Sequence, residues 1–246
     1  MPFFMLGDPD FENSFSCIKA AIDAGADALE LGIPFSDPIA DGPVIQAASD
    51  RALDNNMNIK RVLKLIEKIR IYHPNIPMGV LVYFNLIFKN GFDYIHNKLK
   101  QAGIDAVLAV DLPLEENAEH NKSLAKYNLG AIQLIAPNTP DDRAKLLLNQ
   151  STAFTYVVSH FGTTGVRKEI GQESIARVKH LASLSNDTKP LVVGFGISNA
   201  AQVKQYHDAG AHGAIIGSAI VKIIANNLSN IQQAEAEIKK LVSSCV

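Results

Sequence analysis

One glutamate stands inside an otherwise apolar run, Ala28-Leu29-Glu30-Leu31-Gly32. A carboxylate between leucines is costly to bury unless it is paired or used, and burial drives its pKa upward. That suits a general acid/base, with a carboxylate bonded to nearby backbone as the structural alternative. The following segment, Ile33 to Pro43, holds three prolines and two aspartates, Asp37 and Asp41. Prolines restrict the backbone and Asp caps turns, which accounts for Asp37. Asp41 has two readings: a cap for a helix whose first residue is Pro43, or a second carboxylate for chemistry.

Glycines mark a second place. Gly194-Phe195-Gly196-Ile197-Ser198 and Ile216-Gly217-Ser218-Ala219 each put Gly at an expected strand-to-helix turn. Bare backbone there can approach an anion, and a helix starting near Ser218 would aim N–H groups and its positive dipole end at the same point. A third loop, Gly162-Thr163-Thr164-Gly165, lies in a long stretch from Ser159 to Gly171 that mixes glycines with charges, as a lid would. No lysine falls at the end of an expected strand, which disfavours a Schiff-base aldolase. The seven histidines show no HxH or HExxH spacing, so no metal site is expected. Cys17 and Cys245 match no zinc or redox spacing.

Short β-branched and apolar runs must position these groups. Strands are expected at 3–6, 27–31, 76–82, 104–110, 131–135, 153–158, 190–195 and 212–216. Several are apolar throughout, as strands covered on both faces should be. Helical patterns fall between them at 11–24, 43–72, 84–102, 115–128, 140–149, 172–184, 199–208 and 218–227, with a last helix at 230–243. In one, Val62, Leu65, Ile66 and Ile69 form the apolar stripe while Lys60, Lys64 and Lys68 share a solvated outer face. AGADAL (24–29), AGIDAV (102–107) and AGAHGA (209–214) each set Gly at a helix end just before a strand. The pattern predicts an α/β fold, a (β/α)8 TIM barrel of parallel strands forming one domain over residues 1–246. Its site would lie at the C-terminal ends of the strands. A doubly wound open sheet is the competing arrangement, but no GxGxxG follows the first strand.

Composition narrows the class. The chain has 246 residues, 47% hydrophobic and 20% charged, enough apolar surface for a packed core. Its net charge is −2 with no basic face, which disfavours nucleic acid as a partner. The longest uncharged run, Ile71 to Phe88, contains Pro74, Asn75, Pro77 and Asn85 and is no membrane span. Asp8, Asp10 and Glu12 stand where a signal peptide needs an apolar stretch, so a cytoplasmic protein is expected. Residue chemistry alone thus reaches a barrel enzyme whose carboxylates act on a small phosphate ester.

From Leu29 to Gln46 the chain reads LELGIPFSDPIADGPVIQ, and here it resembles the tryptophan synthase alpha chain family. The resemblance continues through LGDP (6–9), NLIFKNG (85–91), VDLPLEE (110–116), SHFGTTG (159–165), GFGIS (194–198) and GSAIVKII (217–224), covering nearly the whole chain. It implies retro-aldol cleavage of indole-3-glycerol phosphate to indole and D-glyceraldehyde 3-phosphate in L-tryptophan biosynthesis. Glu30 would protonate the indole carbon bearing the side chain and help deprotonate the glycerol hydroxyl. Asp41 would stabilise positive charge developing at the indole nitrogen, with Tyr156 beside Glu30. Phe3, Leu81, Leu108 and Phe195 match the indole pocket; Thr164, Gly165, Gly196, Gly217 and Ser218 match the lid and phosphate positions. Pro34 and Asp37 match a loop facing the beta chain, in an α2β2 tetramer whose pyridoxal phosphate belongs to that partner. No cofactor is therefore expected in this chain.

Three departures from the family pattern stand out. The chain starts almost at its first strand, where the family usually has a preceding helix over the barrel floor. Met5 stands where Thr is common, and the lid carries His160 and Phe161 where Arg and Gly-Val-Thr-Gly are more usual. A stand-alone lyase and a non-catalytic activating subunit are the alternative functions, the latter disfavoured by the presence of both Glu30 and Asp41. A sugar-phosphate isomerase or cyclase barrel is disfavoured because the fifth expected strand runs into Ala136-Pro137-Asn138, with no acid at its end.

Overall fold

The computed structural model describes residues 1–159, 170–185, 189–194 and 196–246. The strands are β1 (Phe3–Met5), β2 (Leu29–Gly32), β3 (Met78–Val82), β4 (Ala106–Ala109), β5 (Gly130–Ala131), β6 (Gln133–Ile135), β7 (Thr155–Val158), β8 (Leu191–Gly194) and β9 (Gly213–Ala214). All pair in parallel, in the orders β1-β2-β3-β4-β5 and β6-β7-β8-β9. Two seams close the ring. Phe3 N–H donates to Ile216 O at 3.0 Å, and Ile216 N–H donates to Met1 O at 3.1 Å. At the other seam, the run expected as one strand over 131–135 is interrupted at Ile132. The N–H of Ala131 is taken by the Thr152 hydroxyl at 2.7 Å, while Ile132 still bonds back to Val107 O at 3.0 Å. One segment therefore serves both sheets, β5 on β4 and β6 on β7, and the expected TIM barrel is what forms.

Leu29, Leu31, Val80 and Val82 are fully buried, which accounts for the unbroken apolar runs read in the sequence. The outer-face reading of Lys60, Lys64 and Lys68 holds. Val62, Leu65, Ile66 and Ile69 are fully buried, Lys60 and Lys64 are exposed, and Lys68 pairs with Glu12 and lies 4.3 Å over the Phe15 ring. Among the described residues no helix is long and apolar enough to cross a membrane.

Three expected helices are corrected. The pattern over 43–72 is two helices, Pro43–Asp54 and Ile59–Tyr72. Asn56 turns the chain at φ +60°, and the Asn58 side chain accepts the N–H groups of Lys60 and Arg61, starting the second helix anew. The pattern over 84–102 breaks at Gly91, whose φ of +83° suits a residue without Cβ. That over 115–128 is a short turn of 3₁₀ helix, Leu114–Glu116, followed by Ala118–Lys126.

The first of these breaks shapes the site. It frees Pro43–Asp54 to pack against the loop after β1, where buried Asp8 accepts two hydrogen bonds from Arg51 at 2.7 and 2.9 Å. Paired, two-point geometry of this kind offsets part of the cost of burying Asp8, whose carboxyl burial still holds above its usual range. The same helix packs against Ser218–Asn226, the helix entered through Gly217.

Candidate active site

Glu30 lies on β2, in register with Phe3 of β1 and Gly79 of β3, and is 3% exposed. Among the described residues its Oε1 has no hydrogen-bond partner. Burial, and then the nearby Asp41 carboxylate, push the Glu30 carboxyl up to about 8. At neutral pH it therefore holds a proton that it can deliver, as a general acid must.

Asp41 comes from the loop that follows β2. Its Oδ2 accepts from the Tyr83 hydroxyl at 2.9 Å, and Tyr83 in turn accepts the Ala40 N–H at 3.1 Å. Burial raises the Asp41 carboxyl to about 6 against the opposing effect of that hydrogen bond, so it is mostly ionised at neutral pH. The helix Pro43–Asp54 has Gly42 at its N-cap and no side-chain cap bond, so the capping reading of Asp41 does not describe this structure. Two carboxyls thus face one space with opposite protonation, the arrangement acid/base chemistry uses. Tyr156 on β7 completes the group. It is 4% exposed, and burial followed by the charges of Glu30 and Asp41 holds its phenol neutral. Its hydroxyl lies so close to Gly194 that a Cβ there would stand 2.0 Å from it, so Gly194 makes room for the phenol.

The space between these groups has a volume of about 40 Å³, lined by Phe3, Glu30, Asp41, Leu81 and Tyr156 at one end and by Gly196, Gly217 and Ser218 at the other. Leu108 pairs with Leu81 in register and is buried, but it is not among the lining residues. Thr164, Gly165 and Phe195 lie outside the described residues, as do His160 and Phe161. Pro34 is buried, whereas Asp37 is exposed and Ile39, at the loop tip, is 80% exposed. A larger recess of about 630 Å³ opens between Pro137, Val158 and Arg177, but none of the raised carboxyls lines it.

At the other end, Gly196, Gly217 and Ser218 line the same space. Gly196 has φ +79° and needs glycine for its backbone alone. Gly217 does not. Its φ is −100°, and among the described residues the nearest atom an added Cβ would meet is Phe3 Cβ, at an ordinary 3.6 Å. Among the described residues neither strain nor packing asks for glycine there, and the open backbone is free for approach by an anion. The helix beyond it makes its first bond from Val221 N–H to Gly217 O, leaving the N–H groups of Ser218, Ala219 and Ile220 ahead of the ladder. Gly217→Val is accordingly expected to weaken binding of phosphate esters about tenfold or more, roughly 1.4 kcal/mol, with a small change in melting temperature. Calorimetry with glyceraldehyde 3-phosphate checks this, and unchanged affinity would leave Gly217 with a turn role only.

Sequence reasoning missed Tyr83, Ile45 and Ile215. Ile215 lies inside the run expected as a strand. Ile45 reaches the space because the helix carrying it ends at Asp54, a break signalled only by the polar cluster Asp54-Asn55-Asn56 with Asn58. Tyr83 follows β3 directly, and nothing local marked it as Asp41's partner.

A family model described as tryptophan synthase alpha chain matches residues 1–245. The alpha chains of Proteus mirabilis and Methanothermobacter thermautotrophicus are 45% and 42% identical, over 93% and 94% of this chain and 84% of each relative. A Pyrococcus furiosus structure from work on mutual activation of the tryptophan synthase a2b2 complex matches with TM-score 0.91 at 35% identity, over 99% of this chain and 96% of that one. A chain from Aquifex aeolicus matches with TM-score 0.88 at 34% identity, over 99% and 90%.

Proposed function

The chain belongs to the tryptophan synthase alpha chain family, and we propose that it cleaves indole-3-glycerol phosphate to indole and D-glyceraldehyde 3-phosphate by a retro-aldol reaction. The observation that carries this reading is the pairing of a protonated buried carboxyl, Glu30, with an ionised one, Asp41, across one small cleft. Glu30 delivers its proton to the indole carbon that bears the glycerol chain. Positive charge then develops at the indole nitrogen, and Asp41 is the carboxylate assigned to stabilise it. The carboxylate left on Glu30 takes the proton of the glycerol hydroxyl as the carbon–carbon bond breaks, which returns Glu30 to its starting form. Tyr156, neutral throughout, is assigned beside Glu30, and the Gly196 and Gly217–Ser218 backbone is assigned to the phosphate.

The partner is the tryptophan synthase beta chain, as in the a2b2 complex of the Pyrococcus furiosus relative. We assign the pyridoxal phosphate of the complete enzyme to that chain. The exposed loop around Asp37 and Ile39 is the assigned docking edge. A cytoplasmic setting is supported by two free thiols, Cys17 and Cys245. The test supplies indole-3-glycerol phosphate to the chain with and without a matching beta chain and measures indole or tryptophan. Cleavage that rises with the beta chain, and less so for Asp37→Ala, is expected. Rates that are flat across the titration would make a stand-alone lyase the better reading, and no cleavage in either arm would leave a binding subunit.

A further inference from the structure

We propose that Ser49 is a positioning residue for Asp41, acting through Phe35 and Tyr83; this rests on Asp41 being the carboxylate that meets the indole nitrogen. Ser49 sits in the middle of the helix Pro43–Asp54 and is fully buried. A serine inside a helix ordinarily turns its hydroxyl back to the carbonyl one turn earlier. Here the hydroxyl leaves the helix and reaches a residue 14 positions away, accepting the Phe35 N–H at 2.8 Å and donating to the Phe35 carbonyl at 2.8 Å. One hydroxyl can do both, having a donor and two acceptor sites, and no apolar side chain of that size could. Both backbone groups of Phe35 are thereby held at one point.

The Phe35 ring carries that constraint onward. It stacks on the Tyr83 ring, with centroids 5.0 Å apart and planes 21° from parallel. Tyr83 follows β3 directly and is 1% exposed, so its ring has a fixed root and Phe35 against its face. With the Ala40 N–H on the Tyr83 oxygen, the phenol proton goes to Asp41 Oδ2. One turn before Ser49, Gln46 Nε2 donates to the carbonyl of Asp41 itself at 2.8 Å. A single helix face thus grips the loop at both ends, by Ser49 at Phe35 and by Gln46 at Asp41. The carboxylate is aimed by what Ser49 fixes.

The test uses the full chain with its beta partner and compares Ser49→Ala with Ser49→Thr, which keeps the hydroxyl. In the Ala variant kcat is expected to fall about tenfold with KM within about twofold, as for a catalytic group slightly misplaced. The acid limb of the pH profile should move up, because the Tyr83 hydrogen bond that favours ionised Asp41 is weakened. The Asp41 carboxyl followed by carbon NMR should titrate higher by the same amount, and Ser49→Thr should restore most of both. An unmoved limb and titration, with activity lost only in proportion to unfolded protein, would overturn the proposal. If the Ala variant does not fold, Phe35→Leu, which removes the stack and keeps Ser49, must show the same two shifts or the proposal fails. Asp41→Asn separates the two ideas. Retained turnover in that variant would end the catalytic reading of Asp41 and leave the NMR titration to decide the link. Lost turnover, with a normal Ser49→Ala enzyme, would end the positioning role alone.

Discussion

Glu30→Gln is expected to lower turnover by on the order of 10² to 10⁴ while making the protein more stable above neutral pH. The amide fills the same volume, so the fold and phosphate affinity should persist, but it cannot exchange a proton. The stability gain follows from the raised carboxyl. In the unfolded chain a glutamate titrates near its usual 4.5, whereas buried Glu30 holds its proton up to about 8. Below both values the two states bind the same proton and nothing is lost. Between them only the folded state is protonated, so folding stability declines as pH rises through that window and levels off above it. At one pKa unit per about 1.4 kcal/mol, the cost reaches a few kcal/mol by pH 8. Gln carries no such penalty. The melting temperature of the variant, relative to the parent, should therefore be clearly higher at pH 8 than at pH 5. Near-normal turnover would sink the catalytic assignment, and an equal difference at both pH values would refute the burial argument.

A bell-shaped dependence of kcat/KM is the second large effect, and Asp41→Asn should destroy both its height and its acid side. Asp41 must be ionised, so activity rises through about 6; Glu30 must be protonated, so activity falls through about 8. These limbs belong to the facing pair as a unit. Removing the Asp41 charge takes away a fixed electrostatic partner of the transition state, a loss of about 10²-fold or more. The melting temperature should not fall, because the side chain caps no helix here, and at neutral pH it should rise, by less than for Glu30→Gln, as the burial cost of the raised Asp41 carboxyl is removed. A rate maximum that keeps its acid limb in the Asn variant, or a large fall in melting temperature with activity retained, would reject the role.

The barrel was legible because its evidence is local and repeated: apolar strands, amphipathic helices, and Gly at three of the turns back into the sheet. Glu30 was legible for a related reason, since a lone carboxylate in an apolar strand is a local contradiction that calls for explanation. Asp41 could only be left between two readings. Its partner Tyr83 arrives from the next strand, and no spacing within residues 33–43 announces it. Ile45 and Ser49 were obscured differently. A continuous 3.6-residue periodicity from 43 to 72 hides a break that depends on the left-handed backbone of Asn56 and the cap at Asn58. Where one helix becomes two, the second no longer extends the axis of the first, and the two halves face different neighbours. Periodicity reports the face of a helix, not where the helix ends.

The small volume of about 40 Å³ between the two carboxyls bears on how the proposed substrate would enter. It has room for roughly one water molecule, while sites for ligands of this size occupy roughly 300 Å³ or more. The described conformation is thus too tight for the proposed substrate. If it dominates in solution, admission would wait for a rarer, expanded conformer, and the apparent dissociation constant would exceed the intrinsic one by the inverse of that conformer's population. Encounter would then be a two-step process whose observed rate saturates at the frequency of opening. Substitutions that merely thin the wall, such as Ile45→Val, would then tighten binding without adding a single contact. Selectivity in this protein would be exercised partly at the door, before any catalytic group has been reached.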